Sequence, residues 1–192
     1  MDFGVKEYEV TVEGSSPLIW NVMQKELEDE KKELKKNELA EWEEENWKRK
    51  AEFNATGKVV IPDRWLKSLL KDSAMRTRLV PHFATRKNET YTYYVGSFRI
   101  AFEGKGFDKK LLEYFGAHVG ARGKNSDTKI WRVRPMVSKW SGVFSITDPA
   151  GRMNIKELKA LLEYGGMFVG IEDNRINNYG RFEVKKITER RN

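Results

Sequence analysis

KVVIPDRWLKSLLKDS, residues 58–73, changes its period at Pro62. Residues 58–61 read as a short strand, because three β-branched side chains stand in a row. Pro62 then opens a helix that runs to Ser73, since proline in the first turn costs no hydrogen bond. Trp65, Leu66, Leu69 and Leu70 recur at helical spacing and form its buried stripe, with Arg64, Lys67 and Lys71 left toward solvent.

Upstream, residues 5–13 (VKEYEVTVE) alternate with the two-residue period of a strand buried on one face, and Gly14-Ser15-Ser16-Pro17 ends it. Leu18, Ile19 and Trp20 make a short apolar patch. Downstream, the β-branched and aromatic residues 90–102 (TYTYYVGSFRIAF) predict a second strand or hairpin. A helix over 108–114 and a connection carrying Gly116, Gly120 and Gly123 are expected next. Residues 130–137 and 142–146 read as an antiparallel pair. Asn154 is a good cap for a helix ending at Tyr164, with Gly165 and Gly166 as its stop. The last strand is expected at 181–187. One decapeptide occurs nearly twice: LLEYFGAHVG (111–120) and LLEYGGMFVG (161–170) share seven of ten residues. The pair reads either as a reused helix–Gly–strand unit or as a coincidence between two helix ends.

With residues 22–53 and 76–125 set aside, the order is strand, helix, strand, strand, helix, strand. That is an α+β chain with a ferredoxin-like (RRM-like) split βαβ core, carrying helical and β-hairpin insertions. Such a sheet has one face covered by helices and one open face on which nucleic acid can lie.

The chain has 192 residues, no cysteine and two histidines, His82 and His118, far apart in sequence. Thiolate metal sites, disulfides and cysteine catalysis are excluded, and no HExxH, GxSxG, P-loop or GxGxxG pattern occurs. No bound cofactor is expected, and none of these patterns supports an enzyme. The N-terminal residues lack an apolar signal core, which sets a soluble, cytoplasmic protein as the expectation, without membrane contact. The net charge of +7 is unevenly spread. Residues 24–52 hold eight basic and eleven acidic side chains, so the rest of the chain carries +10. Residues 22–53 are almost all helix formers, with sparse apolar positions and opposite charges at helical spacing. They read as a long solvated helix or helical pair, or else as a partner-docking face. The strongly basic remainder is the footprint of a polyanion binder or of a generic high-pI surface.

Three stretches combine charge with rings. Around the last helix end, Gly165–Phe182, glycines permit close backbone approach, Arg175 and Arg181 can neutralise phosphates, and Tyr179 can stack on a base. Plain turn chemistry is the alternative for this stretch. In residues 129–140 (KIWRVRPMVSKW), alternation puts Arg132 and Arg134 on one face and Trp131 and Val133 on the other. In residues 85–94 (TRKNETYTYY), Arg86 and Lys87 run into Tyr91 and Tyr93, after Arg76 and Arg78. Glu172 and Asp173 are adjacent acids and the sequence's one weak pointer to a metal.

Three passages in order, VTVEGSSPLIW, VVIPDRWLKSLLKDSA and GGMFVGIEDNRINNYGRFEV, resemble the RAMP superfamily of CRISPR-associated proteins, above all its backbone-forming subunits. They also resemble uncharacterised phage proteins of the same layout. The resemblance covers about a quarter of the chain. It implies a ferredoxin-like core with inserted lobes, here a single RAMP-like domain over 1–192, that binds a single-stranded backbone and assembles side by side. By carry-over, Lys67, Lys71, Arg175 and Arg181 become backbone contacts. Asp63 departs from the small residue usual at that helix start. No catalytic Asp follows the PL element, so target cleavage is not implied. The expected function is therefore non-catalytic binding of single-stranded RNA or DNA by a homo-oligomer or a ribonucleoprotein subunit, as a CRISPR effector or viral strand binder. A protein–protein module built on residues 22–53 and a metal-dependent nuclease are the alternatives.

Overall fold

The computed structural model describes residues 4–22, 24–77, 94–120, 129–172 and 178–190. Its first sheet is assembled from four strands far apart in sequence: β1 (Lys6–Gly14), β3 (Arg99–Phe102), β6 (Ser141–Asp148) and β7 (Phe182–Arg190). All neighbours are antiparallel, in the order β3-β6-β1-β7. Helix α3 (Asp63–Arg76) connects β1 to β3 across the sheet, and α4 (Ile155–Tyr164) connects β6 to β7. The chain is thus α+β with a ferredoxin-like core, as the sequence leads one to expect. Tyr8, Val10 and Val12 of β1 and Phe144 and Ile146 of β6 meet Leu66, Leu69 and Leu70 of α3 and Leu158, Leu161 and Leu162 of α4 in one core. Each fully buried leucine contributes about 2 kcal/mol.

Local signals place the two helices well. Asn154 and Glu157 close a reciprocal capping box on α4. Pro62 stands at the N-cap of α3, and Asp63 accepts the Phe102 amide at 2.8 Å, tying the helix start to the end of β3.

The strand assignments need correction. Residues 130–137 and 142–146 do not pair with each other. β5 (Lys129–Val137) belongs to a second sheet, in the order β2-β5-β4, with β2 (Leu18–Ile19) and β4 (Glu113–Gly120), whereas β6 enters the first. The chain changes sheet at Trp140, whose carbonyl accepts the Gly14 amide at 2.8 Å and whose indole donates to Ser16 O at 2.8 Å. The second core strand is β3, from inside the 76–125 stretch; of the expected 90–102 segment the structure describes 94–102, where 94–96 are a helical turn and the last four residues form the strand. Residues 58–61 supply an isolated bridge at Val59, to Phe53 and Phe107, not a strand. Instead of a helix over 108–114 there is one 3₁₀ turn (Lys109–Leu111) followed by β4, which takes in Gly116 and Gly120. The last strand runs on to Arg190.

Residues 22–53 are not one long solvated helix. They form α1 (Lys25–Lys32), α2 (Leu39–Asn46) and a 3₁₀ turn (Trp47–Lys50) folded onto the second sheet. The anchor is ionic. β2 is only two residues long, so on that edge β5 has no paired strand at Val133, which pairs with Gly116 of β4 on its other edge. Glu43 accepts the Val133 amide at 3.0 Å, and the Lys50 ammonium donates to Val133 O at 2.7 Å. The two side chains take the place of a neighbouring strand. Glu43 also pairs with Lys31, Lys50 and Arg132, and both Glu43 and Lys50 are fully buried. Burial alone would raise the Glu43 carboxyl, but hydrogen bonds from Lys31, Lys50 and the Val133 amide hold it at about 2. Burial pushes the Lys50 ammonium down to about 8, against the pull of Glu43.

Candidate functional site

The three passages that carry the family resemblance lie far apart in sequence and meet in space. Ser15 and Ser16 amides both donate to Arg181 O (2.8 and 3.3 Å), Ser16 Oγ accepts the Arg181 amide (2.8 Å), and Gly180 N donates to Pro17 O (2.9 Å). The Trp20 indole donates to Val60 O at 2.9 Å, joining the first passage to the second. The third passage rests on the second through Gly165, where an added Cβ would lie 2.3 Å from Leu69 Cδ2 and 2.7 Å from Ser73 Oγ.

Gly165 and Gly166 are not the stop that the sequence suggests. Gly165 keeps right-handed helical angles, and α4 widens into a π-helical turn over Gly165–Val169. The positive φ that ends it falls at Gly170 (80°), whose missing side chain leaves room for Tyr179 O. Glu172 follows with φ 146°, a region that costs an L side chain free energy. It is held there by its own carboxylate, which accepts the Ile19 amide at 2.7 Å, and by the Ile171 amide bonded to Gly180 O. Glu172 is therefore buried and committed to the fold rather than turned out to a cation. Asp173, the other half of that expectation, lies outside the described residues. Among the described residues no group of three or more His, Asp or Glu side chains is placed to hold a metal ion, and no helix is long and apolar enough to cross a membrane. His118 packs at a tilt against Trp131, with ring centroids 4.9 Å apart and planes inclined by 56°.

The candidate contacts divide into groups. Arg76 lies on the same α3 stripe as Leu69 and Ser73, one turn beyond Ser73. Lys67 and Lys71 border the other flank of the buried stripe, with the Lys71 stem against Gly96. Tyr179 packs edge-on against Phe115 of β4 (5.5 Å), and Arg134 of β5 is the cross-strand partner of Phe115. Residues opposite one another share a sheet face, so Arg134, Phe115 and Tyr179 lie together, and Arg181 is two residues on. Arg132 shares that face but is drawn to Glu43 at 2.7 Å, as a structural ion pair. Arg78, Arg86, Lys87, Tyr91, Tyr93 and Arg175 lie outside the described residues. Phe115 had no signal in the sequence, because residues 108–114 read as a helix and hid the strand that presents it.

The open face of the first sheet differs from the expected binding surface. Its middle strand presents Glu7, Glu9 and Glu13, and Glu9 and Glu13 pair with Arg190 and Lys185. Carboxylates along the centre of that face oppose a phosphate chain. Among the described residues Arg134, Phe115 and Tyr179 lie together instead where the Gly-rich passage meets the second sheet.

No family model and no curated protein matches the chain. A solved structure does. A chain in the cryo-EM structure of the type III-B Cmr-beta bound to cognate target RNA superposes with a TM-score of 0.56 at 12% identity, over 96% of this chain and 60% of that one. The likeness is one of fold. This chain spans about 60% of the length of its structural neighbour.

Proposed function

We propose that the chain is a non-catalytic subunit of RAMP type that binds single-stranded nucleic acid, RNA in the first instance, within a CRISPR-type ribonucleoprotein. The observation that carries this reading is the convergence of the three resembling passages, which brings Tyr179 and Arg181 to the second sheet beside Phe115 and Arg134. Guanidinium groups suit phosphate oxygens through paired donors, and rings suit unstacked bases. The fold likeness to a chain of an RNA-bound complex supports the same reading. The acidic 24–52 segment buries Leu27 and Trp42 against its own chain, which takes from the docking-helix alternative much of its apolar face.

The test is fluorescence anisotropy with labelled single-stranded RNA, single-stranded DNA and duplex DNA across a salt series. Six phosphate contacts on a single strand give a log–log slope of about −4, at about −0.7 per contact. Single-strand preference with such a slope supports the reading, and an Arg76→Ala/Arg134→Ala variant then loses about 1.4 from the slope. Absence of binding to all three at low salt overturns it.

A further inference from the structure

The π-helical turn after α4 holds a pair of exposed apolar side chains on a rigid backbone. Its glycines leave no freedom: a Cβ on Gly166 would lie 2.3 Å from Phe182 O, and Gly165 is closed in by Leu69 and Ser73. The turn is thus wedged between α3 and the 179–182 segment, with Val169 buried beneath it. Yet Met167 and Phe168 point outward, 66% and 55% exposed. The Phe168 ring leans on Tyr164, with centroids 5.1 Å apart and planes inclined by 46°. The wider π winding turns Met167 and Phe168 to solvent while the chain on both sides stays packed.

Single exposed apolar residues are ordinary. Two features set this pair apart. The backbone under it is locked at both ends, so the ring is presented without an ordering cost on binding. The segments that wall the turn also carry cations: Arg76 lies one turn beyond Ser73 on α3, and Arg181 precedes Phe182, whose carbonyl backs Gly166, and donates to Asn178 Oδ1 at 3.1 Å. A rigidly held ring on a cation-bearing surface is the pairing that single-strand binding uses.

We propose that Phe168, backed by Tyr164, is a stacking platform for an unpaired base of the bound strand, with Met167 at its rim. The proposal rests on the nucleic-acid reading above and adds a contact that neither charge nor motif indicates. It predicts a term in affinity that depends on bases and is insensitive to salt.

The experiment measures full-length wild type, Phe168→Ala and Phe168→Trp against labelled single-stranded RNA and against the same backbone with abasic positions. Base–aromatic stacking sets the expected loss for Phe168→Ala at between about fivefold and a hundredfold, with the salt slope unchanged. Phe168→Trp retains the affinity, and on the abasic strand wild type and Phe168→Ala bind alike. Phe168 is exposed, so the urea midpoint should not move and a folding defect is separable. Wild-type binding with Phe168→Ala within twofold overturns the platform alone. A change in mass by light scattering without a change in RNA affinity also overturns it, by assigning the patch to a protein contact. A wild type that binds no strand removes the functional reading and the platform together.

Discussion

LLEYFGAHVG and LLEYGGMFVG, residues 111–120 and 161–170, are nearly the same peptide in opposite conformations. The first is a 3₁₀ end and strand β4; the second is the last turn of α4 and its π-helical continuation. Leu161 and Leu162 are both in the core, whereas Leu111 is exposed and Leu112 is buried. The difference originates outside the shared residues. Upstream of the helical copy, Asn154 and Glu157 cap a nucleus that is already helical by Leu161, and a helix with a nucleus propagates. Upstream of the strand copy, Asp108 caps only a three-residue turn, and the β5 backbone then supplies the hydrogen bonds. What the segment becomes is decided by its partners, and one of the three positions that differ fits those partners closely in each copy. Gly165 must be glycine against α3, and Phe115 must be large to reach Tyr179.

The sharpest way to break this comparison is to exchange the differing residue. Gly165→Phe places a ring where even a Cβ meets Leu69 and Ser73, in a core without room to yield. Overpacking by one or two methylenes costs about 1–3 kcal/mol, and a full ring costs more. That consumes most of an ordinary domain stability of about 5–15 kcal/mol. Insoluble protein, or loss of the cooperative urea transition, is the expected result; a native-like midpoint would show that the π-helical turn can shift.

The next largest effect tests what holds β5 in place as the partner of β4. Glu43→Gln leaves Lys50 buried without its counter-ion, a loss of about 3–5 kcal/mol in urea denaturation. The wild type has a matching acid limb. The folded carboxyl titrates near 2 and the unfolded one near 4.3, so the Glu43 contribution is complete above the unfolded value and is lost as pH falls through the folded one. Stability should fall by about 3 kcal/mol from this group between about pH 5 and 1, and Glu43→Gln should flatten that limb.

The two copies also show what the sequence could and could not reveal. The α4 start and the Pro62 opening of α3 are local signals, complete within four residues, and both are found in the structure. The spacer between residues 137 and 141 looks like a hairpin, but its outcome depends on Trp140 meeting Gly14 and Ser16, more than a hundred residues away. That contact sends β6 to the first sheet and leaves β5 in the second. The same non-locality explains the helical segment. Its charges read as solvated because nothing near Glu43 in sequence announces Val133, the backbone group it satisfies. For the candidate surface, Arg134, Tyr179 and Arg181 were legible as residue types in suggestive company. That Arg132 is held by Glu43, and that Phe115 and Phe168 present rings, depended on strand and turn assignments that only tertiary partners fix.

Reversing the exchange in the strand copy should have a smaller effect than Gly165→Phe. Phe115→Gly removes the edge-on contact with Tyr179 and puts glycine into a strand interior, about 1–2 kcal/mol together by urea denaturation. The inequality is the point, since a strand face tolerates a void where a glycine-locked turn cannot accept a ring.

The smallest effect tests the upstream nucleus itself. Asn154→Ala removes one half of the capping box, the Glu157 amide to Asn154 Oδ1 at 2.9 Å, and leaves the residue-154 backbone amide, which donates to the Glu157 carboxylate at 3.2 Å. Cap removal costs about 1 kcal/mol. Tertiary burial of Leu158, Leu161 and Leu162 outweighs it, so α4 should remain a helix and only the urea midpoint should drop. If the nucleus matters as argued, the difference appears in an isolated peptide of residues 152–170, where that burial is absent. Helix content by circular dichroism should fall markedly with Asn154→Ala, whereas a peptide of residues 106–120 should show little helix with either terminus. Equal helicity in the two wild-type peptides would mean that the conformations are imposed wholly by the folded protein, and that the capping box only adds stability after the choice has been made.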